Sequence, residues 1–139
     1  MMTPFHLAFP VTDLNKTRKF YEGLLGCTVG RSASNWLDIN FFGHQLTVLF
    51  KPRFVRPLVD SQYSARRLPV HHFGAVLSWE EWHQLKEKLV KSGISFLIEP
   101  HEAFSGEVGE QLSMFLRDPS GYGIEFKSFE QPERLFQAN

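Results

Sequence analysis

The chain runs through one order of elements twice, and this repetition constrains its fold more than any other feature. Residues 5–11 (FHLAFPV) read as a strand. Thr12 or Asp13 then caps a helix whose apolar residues Leu14, Phe20, Tyr21, Leu24 and Leu25 recur at helical spacing. Gly26 ends it by supplying a left-handed residue. A short strand at 27–29 and a hairpin of 36–42 and 45–50, turning at Gly43-His44, complete the first round. In the second, 70–77 (VHHFGAVL) is a strand and Ser78-Trp79-Glu80-Glu81 fits a capping box. Trp82, Leu85, Leu89 and Val90 form the buried stripe of a helix that Gly93 stops, and strands are expected at 94–98, 112–116 and 123–129.

His6 precedes Gly26 by twenty residues and His72 precedes Gly93 by twenty-one. Each histidine stands two residues before a small one, Ala8 or Gly74. The reading is an α+β chain of two βαβββ modules, 4–50 and 70–129, with a linker at 51–69 and a polar tail at 130–139. The two modules are expected to make up a single domain over 1–139, and an ordinary α+β domain whose halves look alike by chance is the alternative. The linker carries Lys51, Arg53, Arg56, Arg66 and Arg67, which suit either solvent or an anionic substrate group.

Composition narrows the function by exclusion. Formal net charge is zero over 139 residues, which argues against nucleic-acid and membrane-surface binders. A single cysteine, Cys27, forms no internal disulfide and is compatible with a reducing cytosol. The N-terminus lacks a signal-peptide pattern and no apolar run is long enough to span a bilayer, so a soluble cytoplasmic protein is expected.

Three polar residues interrupt apolar strands: His6, His72 and Glu125. An unpaired polar side chain among apolar neighbours costs several kcal/mol, and a shared divalent metal relieves all three at once. Two imidazoles and one carboxylate on one face of an octahedron leave positions open, as in non-haem iron(II) sites. Taken singly, each reads as a hydrogen-bonded strand histidine or a solvent-facing glutamate; matching places in a repeat favour the metal. His71 competes with His72; successive strand side chains point to opposite faces, so only one of them serves, and the small residue two on from His6 recurs after His72.

On these residues the chain resembles the vicinal oxygen chelate superfamily, which includes glyoxalase I, bleomycin-resistance proteins, fosfomycin-resistance enzymes and extradiol dioxygenases. FHLAFPVTDLNKTRKFYEGLLG is similar to the opening of its first module, HHFGAVL to that of the second, and DPSGYGIEF to its closing turn and ligand strand. The resemblance spans residues 4–128 and implies a cupped, partly open mixed β-barrel around a metal held by His6, His72 and Glu125. It also implies a small-molecule substrate and a homodimer.

Superimposing GHQLTVLF on GYGIEFKS puts Thr47 at the place of Glu125, where glyoxalase I carries a further glutamate. The three-ligand set instead resembles those of extradiol dioxygenases and fosfomycin-type transferases. The expectation is a metal-dependent enzyme, with Fe2+ ahead of Mn2+, Ni2+ or Zn2+, and extradiol dioxygenase narrowly ahead of a lyase, isomerase or transferase. A bleomycin-resistance-type drug binder without catalysis is the rival. Tyr122 and His44 are the candidate acid–base residues, with His101 and Tyr63 behind them. Residues 104–118 could close as a loop, and Arg117 could meet an anion. Trp36, Phe41, Phe50 and Phe115 are candidates for an aromatic lining.

Overall fold

The computed structural model describes residues 2–54, 60–63 and 66–138. Arg56 lies outside the described residues, as do the side chains of Tyr63, Arg66 and Arg67. The chain forms two compact units: Met1–Pro57 with Asp118–Gly121, and Leu58–Arg117 with Tyr122–Asn139. The class is α+β, and no helix among the described residues is long and apolar enough to cross a membrane.

Unit 1 holds β1 (His6–Val11), α1 (Leu14–Arg18), a π-helical turn (Lys19–Leu24), β2 (Thr28–Ala33), β3 (Trp36–Phe41) and β4 (His44–Phe50). Asp13 caps α1 by accepting the Lys16 N–H at 2.9 Å. The sequence reads one continuous helix here, but from Lys19 it widens to π geometry, with the Leu25 N–H donating to the Phe20 carbonyl at 3.0 Å. Such widenings are uncommon and re-aim side chains. Here Phe20 and Tyr21 turn inward, and Gly26 takes φ 76 just beyond. The sheet order is β1-β4-β3-β2, with β1 parallel to β4. One face buries Val11, Leu37, Ile39, Phe41, Leu46 and Val48; His6 and Ala8 alternate onto the other, which is open.

Unit 2 repeats this topology. It holds β5 (Asp60–Tyr63), β6 (Arg66–Pro69), β7 (His72–Val76), α2 (Trp79–Ser92), β8 (Ile98–Ala103), β9 (Gln111–Arg117), β10 (Gly123–Ser128) and a 3-10 turn (Pro132–Phe136). Its main sheet is ordered β7-β10-β9-β8, again with the first strand parallel to the last. The capping box at Ser78 and Glu81 forms as expected, and Gly93 ends α2 in the left-handed conformation at φ 75. Trp82, Leu85 and Leu89 are buried, and the Trp82 indole donates to the Phe126 carbonyl at 2.9 Å. Val90, expected in that stripe, is 58% exposed.

One local expectation needs correction and two are sharpened. Residues 94–97 are not strand: pairing begins at Ile98, after Leu97 and Ile98 have packed against Phe115 and Leu68. Within the linker 51–69, Asp60–Tyr63 and Arg66–Pro69 form a two-stranded sheet of their own. Residues 111–117 are strand, in line with the strand expected at 112–116, which narrows the expected loop 104–118 to a turn region at 104–110; there Phe104 holds φ 55 and Gly106 φ 77.

Candidate metal half-sites

In unit 2, parallel pairing sets Gly123 opposite His72 and Gly74 opposite Glu125. Close approach requires glycine at 74 and leaves little room for a side chain at 123. A Cβ at Gly74 would overlap the Glu125 carbonyl oxygen, and one at Gly123 would stand 3.2 Å from the Pro69 ring and 3.3 Å from the His72 Cβ. The small residue two on from the histidine therefore lets β7 lie close beside the strand that carries the glutamate.

That closeness brings His72 Nε2 within 3.4 Å of Glu125 Oε1. Each group has a partner on its far side. The carbonyl of Pro69 faces His72 Nδ1 at 3.1 Å, and since a carbonyl only accepts, Nδ1 carries the proton and Nε2 is turned to the carboxylate. The Ser113 hydroxyl donates to Glu125 Oε2 at 2.6 Å, and Lys127 Nζ lies 3.6 Å from Oε1. Packing of Leu68 against Phe115 and Ile98 positions the strand that ends in Pro69. Phe115 in turn meets the His72 ring edge-on, centroids 5.3 Å apart.

Electrostatics follow from these contacts. The hydrogen bond with Glu125 raises the His72 pKa; partial burial opposes it, and the Pro69 carbonyl adds to the rise. For Glu125, burial disfavours the charge, yet the hydrogen bonds from His72 and Ser113 and the nearby Lys127 outweigh it and hold the carboxyl below its ordinary range. A ligand pair of this kind suits a divalent cation. Nδ1 anchored on a carbonyl leaves Nε2 as donor atom, and a carboxylate kept ionised supplies charge.

His6 stands at the equivalent place in unit 1, exposed on β1, with Ala8 where Gly74 stands and Thr47 opposite Ala8. Among the described residues no three His, Cys, Asp or Glu side chains are gathered closely enough to enclose a metal. The structure thus brings two of the three expected ligands together in one unit and sets the third at the matching strand of the other.

Other candidates have definite places. Tyr122 is buried, in unit 2 just before β10. His44 Nδ1 accepts the Phe5 N–H at 2.8 Å, so in the neutral ring its Nε2 carries the proton and can only donate. His101 Nδ1 faces the Glu99 carbonyl at 2.8 Å. Of the proposed aromatic lining, Phe115 touches His72, while Phe41 packs in the unit 1 core beside Tyr21. One residue escaped sequence reasoning: Asp38, 6% exposed in β3. Its signal in WLDINFF is the same as that of Glu125, an acid set in an apolar strand.

Comparison with known proteins agrees with this architecture. A solved glyoxalase/bleomycin resistance protein/dioxygenase from Alicyclobacillus acidocaldarius is 30% identical, covers 96% of both chains and superimposes with a TM-score of 0.80. Metallothiol transferase FosB of Lysinibacillus sphaericus is 27% identical over 94% of this chain and 84% of its own. Virulence protein STM3117 of Salmonella typhimurium is 26% identical over 89% and 82%. With residues 3–126 matching the family model as well, the chain belongs to the Glyoxalase/Bleomycin resistance protein/Dioxygenase superfamily.

Proposed function

We propose that the protein is a divalent-metal-dependent enzyme acting on a small substrate that offers two neighbouring oxygens, with His6, His72 and Glu125 as the metal ligands. The observation that carries this reading is the His72–Glu125 pair, whose far atoms are tied to Pro69 and Ser113 while its near atoms face each other. The metal would act as a Lewis acid, lowering the pKa of a chelated oxygen and stabilising charge that develops on it. The protein's part is to orient the imidazole, keep the glutamate ionised and present Phe115 as an apolar wall. As in other members of the superfamily, a homodimer is the expected assembly.

Two reactions compete. Ring-opening dioxygenation, with Fe2+, draws its support from the open coordination face of a three-ligand set. Nucleophilic addition, with Mn2+, Ni2+ or Zn2+, draws its support from the likeness to a metallothiol transferase over 94% of the chain. The second has the more direct support and is preferred.

The test is elemental analysis of the full chain after reconstitution, where about one ion per chain is expected. Substituting alanine for His6, His72 or Glu125 should each weaken retention at least about 100-fold, more than loss of a supporting partner does. A wild-type chain that holds no divalent ion sinks the reading. Thiol consumption with an epoxide-bearing acid, set against oxygen uptake with catechols, separates the two reactions.

A further inference from the structure

The open face of the unit 1 sheet carries two polar rows across its strands. His6, Gln45, Asn40 and Thr28 are register partners in turn from β1 to β2. In the next row Ala8 pairs with Thr47 and Thr47 with Asp38. Gly30 completes it; a Cβ there would lie 3.5 Å from the Asp38 Cβ, an ordinary contact. Thr28, Gly30, Arg31, Asp38, Asn40 and Gln45, with Ile39 and His44, line an open basin of about 450 Å³ at the β2 side of these rows, next to the part-exposed Thr47 rather than around it.

Within the second row, the Thr47 hydroxyl donates to Asp38 Oδ1 at 2.7 Å. Arg31 reaches the other carboxylate oxygen at 3.3 Å. A carboxylate only accepts, so the Thr47 proton is committed to Asp38 and the lone pairs of the threonine oxygen are left to face the open side. Thr47 also stands at the offset from His6 that Glu125 has from His72. Where unit 2 presents an anion, unit 1 presents a neutral oxygen of fixed polarity.

We propose that Asp38 is a positioning residue which makes Thr47 an obligate hydrogen-bond acceptor beside His6, so that the unit 1 half-site selects ligands bearing a free hydroxyl. Arg31 offsets the charge of Asp38, so an ammonium group gains little there, whereas a neutral hydroxyl meets an oxygen whose own proton is turned away. The Arg31 contact also defines what a substitution does. In Asp38→Asn the amide oxygen must serve Arg31, which has only donors, and the amide N–H then donates to Thr47 and reverses its hydroxyl. The inference rests on the reading of His6 as a metal ligand.

Glycolate and methoxyacetate test it, because both offer a metal a carboxylate oxygen and a neighbouring oxygen, and methoxyacetate carries a methyl where glycolate carries the hydroxyl proton. Their affinities for the Mn2+-loaded full chain are measured by calorimetric titration. The wild-type chain should favour glycolate by about tenfold, the worth of one well-placed hydrogen bond. Thr47→Ser should keep that ratio, while Thr47→Val and Asp38→Asn should bring it to about one. If Asp38→Asn does not fold, the Thr47 pair decides alone. Variants that weaken both ligands in proportion would mark Asp38 and Thr47 as merely structural and overturn the proposal, as would a wild-type chain without preference. A chain that holds no Mn2+ overturns the metal reading and this one together; a chain that holds Mn2+ but ignores the hydroxyl overturns this one alone.

Discussion

The two units share a topology and a register, and they differ where chemistry would occur. In unit 2 the strand beside the histidine strand carries Glu125, with Phe115 next to it on β9; in unit 1 the same places hold Thr47 and Asp38. The carboxylate has moved one strand away from the histidine and is bound by a hydroxyl and a guanidinium. The residue opposite differs as well, glycine at 74 and alanine at 8. A duplicated scaffold thus keeps its hydrogen-bonding pattern while its side chains divide the labour between an anionic, aromatic half and a neutral, polar one.

Breaking the pairing contact should separate the units most clearly. Gly74→Ala sets a methyl onto the backbone of Glu125, so β7 and β10 must part, at a cost of about 3 kcal/mol read as a shifted urea midpoint. The matching change in unit 1, Ala8→Gly, should cost about 1 kcal/mol or less, the backbone entropy alone. Equal effects would dissolve the comparison.

A smaller effect is expected at Tyr21, whose hydroxyl donates to Asp118 Oδ2 at 3.0 Å with both groups buried. Tyr21→Phe should cost about 2 kcal/mol in the same measurement, because a buried carboxyl oxygen loses a hydrogen-bond donor. Next comes Ser113→Ala, which should weaken metal retention about tenfold while leaving the fold intact, since Ser113 holds Glu125 and has no counterpart at Thr47.

Smallest is the response of metal-free protein to pH. His72 is raised above 6.5, so its contribution is complete below that value and is lost as pH rises through the raised pKa. Glu125 is lowered below 4.5, so its contribution is complete above that value and is lost as pH falls through the lowered pKa. The pair therefore stabilises fully between 4.5 and 6.5. Solvent around the one-third-exposed His72 side chain keeps the gain under about 1 kcal/mol. Thermal melts of the wild type and His72→Gln should converge above this window, and parallel curves at every pH would discount the pair.

What sequence could show was set by range. Ser78 and Glu81, or Gly93 after its helix, act within one turn of chain, so their residue types declare the structure. The offset of Thr47 from His6 was legible for a related reason, because a repeat supplies its own internal ruler. The π-helical turn at Lys19–Leu24 was not legible, since its apolar spacing is that of an ordinary helix and only the inward packing of Phe20 and Tyr21 distinguishes it. Nor was Asp38: an acid in an apolar strand calls for a partner, but its partners lie on β2 and β4. The strand expected from Ile94 begins four residues late, at Ile98, where Leu97 and Ile98 pack against Phe115 and Leu68.

The short turn Asp118–Gly121 belongs to unit 1, although the chain on either side of it belongs to unit 2. Asp118 receives the Tyr21 hydroxyl, and Ser120 receives the Thr12 N–H at 3.1 Å. A gene cut between the repeats would therefore yield a first product missing four residues of its own unit, the buried Asp118 among them, and a second carrying a plug without a socket. Fragment complementation should succeed only when both pieces are present together. Recombination that swaps one repeat for a distant relative's must carry the matching turn with it, so the two halves are bound to change in step.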